Sequence, residues 1–161
     1  MLKEWSGVGE ESGGRGSVVS DRRVSEESNQ RVEAKAAVRQ RIEQVGDLLV
    51  YRTFLDLALE VEKVTRGFGP DFRWLRVQSL RSSESACANL PEGFYSQYST
   101  EYLQALYRVR REARETMTHL DYGAKVNQLP ETIVSGLLAR YTDGLRQLGK
   151  LISSIEFKIA K

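Results

Sequence analysis

From Asp47 onward, apolar side chains recur every three or four residues, and the rhythm is interrupted beside each of the chain's prolines. A three-to-four spacing places side chains on one face of a helix. Proline is poorly tolerated inside helices, so Pro70, Pro91 and Pro130 divide the sequence into four helical segments. The first takes Asp47 as its N-cap, carries Leu48, Tyr51, Leu55, Ala58, Val61, Thr65 and Phe68, and ends at Gly67-Phe68-Gly69-Pro70. The second spans about Asp71 to Ala88 and is rich in small residues, Ser79, Ser82, Ser83 and Ala86, that let helix backbones approach. The third begins near Ser99 or Thr100 and carries Leu103, Leu106, Ala113, Met117, Leu120 and Ala124. The fourth follows Pro130, with Val134, Leu137, Leu138, Tyr141, Leu145, Leu148, Ile152 and Ile155 close to a heptad seam. No stretch alternates with period two. The pattern predicts an all-α fold, an antiparallel up-down-up-down four-helix bundle over 47–161, because short connections make neighbouring helices antiparallel.

The chain before Asp47 reads differently. Residues 1–24 are a Gly/Ser-rich tail with few bulky apolar groups, and such a segment is expected to be disordered. Residues 25–46 are expected to form a helical extension, with Val38, Ile42, Val45 and Leu49 as a thin apolar stripe, either an extra helix or an extension of the next one broken near Gly46.

Composition narrows the function. Hydrophobic residues make up 40% and charged residues 29% of 161, an ordinary globular balance. Net charge is +2, too small for polyanion binding by bulk charge alone. A single cysteine, Cys87, excludes an internal disulfide framework and fits a reducing compartment. With one histidine and one cysteine far apart, a zinc site within one chain is not expected, and no cofactor is. No apolar run is long enough for a membrane span and no secretory signal is visible, so the expectation is a cytoplasmic protein.

The connection after the second segment reads Gln78-Ser-Leu-Arg81-Ser-Ser-Glu-Ser85-Ala-Cys-Ala-Asn89-Leu-Pro-Glu92-Gly93-Phe94. Its Gln, Arg, Ser and Asn-x-x-Glu-Gly order resembles the signature of the bacterial 23S rRNA intervening-sequence protein family. Glu115-Thr-Met-Thr118-His119-Leu120 is similar to a second family stretch, and Asp47 through Val61 to the family's first helix. The resemblance covers about 47–157. It implies a homopentamer of four-helix bundles with no known catalysis. A more distant likeness in architecture is to the accessory variability determinant of diversity-generating retroelements, whose basic pentamer binds nucleic acid. Two positions depart from the family pattern. Pro91 stands where alanine is usual and is expected to sharpen the break after the second helix; Arg111-Glu112 replaces a usual Gly-Ser.

Each singled-out residue has a plain structural reading beside its functional one. Asn89 and Gly93 suit a helix end, and Glu92 is expected to pair with Arg81. Gln78, Arg81, Ser85, Asn89, Glu92, Gly93, Glu115 and Thr118 are therefore read as structural motif residues. Arg108, Arg110, Arg111 and Arg114 are the nucleic-acid candidates. Arg108 can pair with Glu112 and Arg111 with Glu115, both at i,i+4, whereas Arg110 and Arg114 have no acid on their own stripe nearby. Repetition around an oligomer would sum their charge. His119 reads as packed and Cys87 as a small buried hydrophobe. Tyr95, Tyr98 and Tyr102 form a strip at i, i+3 and i+7 if the helix starts early, suited to subunit contacts, base stacking or simple packing. No dinucleotide, P-loop, zinc-protease or paired-carboxylate motif is present.

The reading is a non-enzymatic homo-oligomeric bundle, associated with RNA or DNA or with a protein partner. The alternative is a structural interaction module whose protein partner docks on the N-terminal extension, with no nucleic-acid role.

Overall fold

A computed structural model describes residues 42–161. The expected tail, and the extension up to residue 41, lie outside the described residues. At the extension's described end the chain is extended at Gln44 and makes a 3-10 turn over Val45–Asp47, so no continuous helix runs through Gly46. Asp47 does not cap the first helix. Its carboxylate reaches back to accept the Glu43 and Gln44 amides at 2.9 and 3.0 Å, closing the turn, and these bonds hold its pKa below the usual carboxylate value.

Four helices follow: α1 (Leu49–Thr65), α2 (Arg73–Phe94), α3 (Ser99–Lys125) and α4 (Glu131–Ile159), with a 3-10 turn at Pro70–Phe72 before α2. No strand occurs among the described residues. Pro91 does not end α2, contrary to the expectation from sequence. A proline fits helical φ but lacks the N–H for the carbonyl four residues back, and its ring crowds that carbonyl. Placed in the last turn, that loss is tolerated; α2 continues to Phe94, and the Tyr95 amide donates to the Pro91 carbonyl at 3.0 Å. α3 stops where Asn127 adopts φ 59°, which lets the Gln128 amide return to the Gly123 carbonyl at 2.8 Å. Pro130 then starts α4.

Contacts between helices run in opposite sequence directions. On α2 and α3, Gly93 meets Ala105, Asn89 meets Arg108, Ser82 meets Thr116, and Trp74 meets Tyr122. Tyr107 reaches Glu156 while Lys125 reaches Glu131 on α3 and α4. Val45 and Tyr95, then Glu62 and Arg76, make the same reversal for α1 and α2. Helix backbones approach closely only along the chain order, and α1 closes on α4, giving the up-down-up-down bundle.

The core runs along its axis through Phe54, Leu57, Val61, Leu90, Leu106, Val109, Leu120, Tyr141, Leu148 and Ile152. The α4 stripe lies where its spacing placed it. The α1 stripe is rotated: Val50, Phe54, Leu57 and Val61 are buried, while Leu55 is exposed and Tyr51 and Ala58 are only half-buried. α1 carries apolar residues around more than one face, so its spacing admits two registers, and the one that buries Phe54 is adopted.

Candidate functional site

The sequence motif lies where α2 and α3 meet. Gln78, Arg81, Ser85, Asn89 and Glu92 step by three, four, four and three residues, one stripe of a helix. Arg108, Glu112, Glu115, His119 and Tyr122 make the matching stripe on α3. Asn89 is the hinge of this seam. Its Nδ2 donates to the Ser85 carbonyl at 2.8 Å, and its Oδ1 accepts from Arg108 Nε at 2.8 Å. Arg108 also lies 4.0 Å from Glu92. The expected Arg81–Glu92 pair does not form: on one continuous helix these residues are about 16 Å apart along the axis. Arg81 is exposed with no ion pair among the described residues. Gly93 carries a requirement of its own. A Cβ there would lie 2.7 Å from both Ala105 Cβ and Tyr102 Cδ2, so only glycine lets the helices meet at this point.

Deeper in the seam the small residues predicted to draw the helices together are buried: Ser79, Ser82, Ser83 and Ala86. Their hydroxyls are satisfied. Ser79 donates to the Leu75 carbonyl at 2.8 Å, and Thr116 Oγ1 lies within bonding distance of Ser82 Oγ (2.8 Å) and the Glu112 carbonyl (3.0 Å). Nearby, burial pushes the pKa of the Tyr141 phenol well above its ordinary value. Ser82 was singled out only as a small residue and Thr116 not at all, since their pairing across 34 positions leaves no local signal.

The other arginines turn outward. Arg110, Arg111 and Arg114 are exposed on successive turns of α3. Arg111 pairs with its neighbour Glu112 at 2.9 Å, not with Glu115, because the Glu112 carboxylate lies within direct reach. Arg110 sits 4.8 Å from the centre of the Tyr107 ring, and the Tyr107 phenol donates to Glu156 at 2.5 Å, which raises its pKa. Tyr107 was missed in the sequence, although its i,i+3 spacing from Arg110 is the signal. Arg114 has no ion-pair partner among the described residues. Arg108, held by Asn89 and near Glu92, therefore differs from the three outward arginines. Glu115 is exposed, and Thr118 donates to the Arg114 carbonyl at 3.1 Å. Gln78 is half-buried on the seam.

The tyrosine strip does not form. α3 starts at Ser99, which leaves Tyr95 and Tyr98 in the connection, both exposed, while Tyr102 packs edge-on against Phe94 beside Gly93. His119 is half-buried and its Nδ1 has no partner. The Cys87 thiol is half-buried too, and burial, then the Glu84 charge, push its pKa up, opposite to an activated nucleophile. Among the described residues no three His, Cys, Asp or Glu side chains gather as metal ligands, and no helix is long and apolar enough to cross a membrane.

Fold and seam together define a four-helix bundle in which Asn89 and Gly93 of the motif hold α2 against α3, while Arg110, Arg111 and Arg114 of α3 face outward. The model of the 23S rRNA-intervening sequence protein family matches residues 46–150, and the chain belongs to that family. No curated protein matches the sequence.

Proposed function

We propose that this chain is a non-enzymatic accessory protein that binds the phosphate backbone of RNA through the outer face of α3, in a homo-oligomer that repeats that face. The observation that carries the reading is the state of the α3 arginines. Arg114 is uncommitted and Arg110 is held only over an aromatic ring, so both guanidiniums are open to phosphate oxygens. The family's name, which refers to 23S rRNA, supports an RNA-related and non-catalytic role. The resemblance noted in the sequence gives five as the expected number of copies, and the cytoplasm is the compartment expected from the sequence's apolar runs and N-terminus. A net charge of +2 makes a weak general field, so affinity rests on local cations repeated around an assembly.

The test is fluorescence anisotropy with labelled RNA and DNA across a salt series, with the mass of the assembly recorded on the same sample. The expected result is binding to RNA with a steep negative salt dependence. Arg110→Glu with Arg114→Glu is expected to abolish it while leaving helicity unchanged. Absence of binding at low salt in an intact oligomer overturns the RNA reading.

A further inference from the structure

An open groove of about 530 Å³ runs along the outside of α1 and α2, lined by Tyr51, Leu55, Leu59, Leu80, Cys87 and Pro91 among others. It holds the apolar residues of α1 that the core does not take. Leu55 and Leu59 are both exposed there, Leu59 by 62%, so the groove presents a contiguous apolar face to an occupant. Two carboxylates also line the groove. Glu62 is neutralised by Arg66 at 2.7 Å and Arg76 at 3.4 Å. Glu84 has no hydrogen bond or ion pair among the described residues. An occupant that fits therefore brings an apolar side chain with one cation beside it.

The chain itself carries such a feature. At the end of α4, Phe157 is 63% exposed and the Lys161 ammonium lies 4.4 Å from its ring centre. The other cation–ring pair among the described residues, Arg110 on Tyr107, is built on a half-buried ring whose phenol is bound to Glu156. We propose that the groove between α1 and α2 receives the Phe157–Lys161 end of α4 from a second copy, with the ring against Leu55 and Leu59 and the ammonium facing Glu84. The proposal rests on the oligomeric reading above and names the surfaces through which copies meet. Groove and knob are different patches, so the contact is head-to-tail, the kind that closes into rings.

Cys87 is the chain's sole cysteine and lines the groove, so it reports directly on cover. The experiment measures native mass and the rate of maleimide labelling of Cys87 for the full chain and for Leu59→Glu, Phe157→Ala, Glu84→Lys, and Glu84→Lys with Lys161→Glu. Helicity of each variant is checked by circular dichroism. The three single variants are expected to fall to smaller species, with Cys87 labelling roughly tenfold faster than in the parent assembly. The charge-swapped double variant is expected to recover mass and protection. A parent that assembles while Leu59→Glu or Phe157→Ala leaves mass and labelling unchanged overturns this contact and spares the oligomeric reading. A parent that is monomeric at every concentration overturns both.

Discussion

Where α2 meets α3 the buried side chains are small and several are polar, whereas α1 meets α4 through two large rings, Phe54 and Tyr141, 6.2 Å apart. Small residues bring the backbones close, and closeness then demands that each buried hydroxyl find a partner. Ser79, Ser82 and Thr116 do so within the seam. Large residues fill volume instead and tolerate more separation. Gly144 shows the difference: a Cβ there would lie 3.3 Å from Phe54 Cζ and Thr53 Cγ2, side-chain atoms that can give way. At Gly93 the nearest atoms include Ala105 Cβ, which is fixed to its own backbone. One contact is thus set by volume and the other by distance of approach, and the two should fail in opposite ways.

The largest effect is expected on the volume side. Phe54→Ala removes a fully buried ring and leaves a cavity against Tyr141, at a cost of about 3–5 kcal/mol in urea unfolding. A cost under about 1 kcal/mol would mean that α1 closes the space and the volume argument fails. On the approach side, adding atoms is the damaging change. Gly93→Ala is expected to cost about 1–3 kcal/mol through overpacking. Gly149 is its control: nothing lies within 4 Å of a Cβ there, so Gly149→Ala in mid-helix should stabilise by about 0.5–1 kcal/mol. If both glycine variants move stability the same way, close approach is not what Gly93 provides.

Asn89 sharpens the comparison from the polar side. Asn89→Ala removes the bond to Arg108 Nε and the return to the Ser85 carbonyl. The Arg108 side chain is 45% exposed and can turn to water, so the loss should be near 1 kcal/mol rather than that of a buried charge left unpaired. A larger loss, by thermal or urea unfolding, would show that the seam acts as a network.

These differences explain what was legible in the sequence. α4 has one apolar stripe and its burial followed from spacing. α1 has more apolar residues than one face can hold, and only the shape of the partners, with Gly144 opposite Phe54, decides which set goes inside. Pro91 read as a breaker because sequence shows its missing donor but not that just one turn of helix remains beyond it. Of the motif, Asn89 and Gly93 lie in the contact between α2 and α3. The identity of Arg108 as the group that Asn89 holds and Glu92 approaches was not legible, because it lies 19 and 16 positions away on another helix, whereas local spacing offered Arg81. The outward arginines were legible as a cluster, and the structure separates them by what each already holds.

The smallest effect belongs to Asp47, which lies outside both contacts and so tests whether the bundle depends on its lead-in turn. Its carboxylate accepts the Glu43 and Gln44 amides, and these backbone bonds depress its pKa in the folded chain. A depressed folded pKa means the contribution is complete above the unfolded carboxylate value and is lost as pH falls through the lower, folded value. Its hydrogen bonds go to amides of the turn's own lead-in, so the loss should be confined to the turn at Val45–Asp47. In an NMR acid titration the Glu43 and Gln44 amide shifts should follow the Asp47 carboxyl, with a midpoint below that of an unstructured aspartate. The core amides of α1 should stay protected over the same range. Asp47→Asn should remove the titration and leave unfolding of the bundle unchanged. If α1 protection fell together with the turn, the lead-in would be part of the cooperative unit, and the core formed by Phe54 and Tyr141 would not be sufficient to hold the helix.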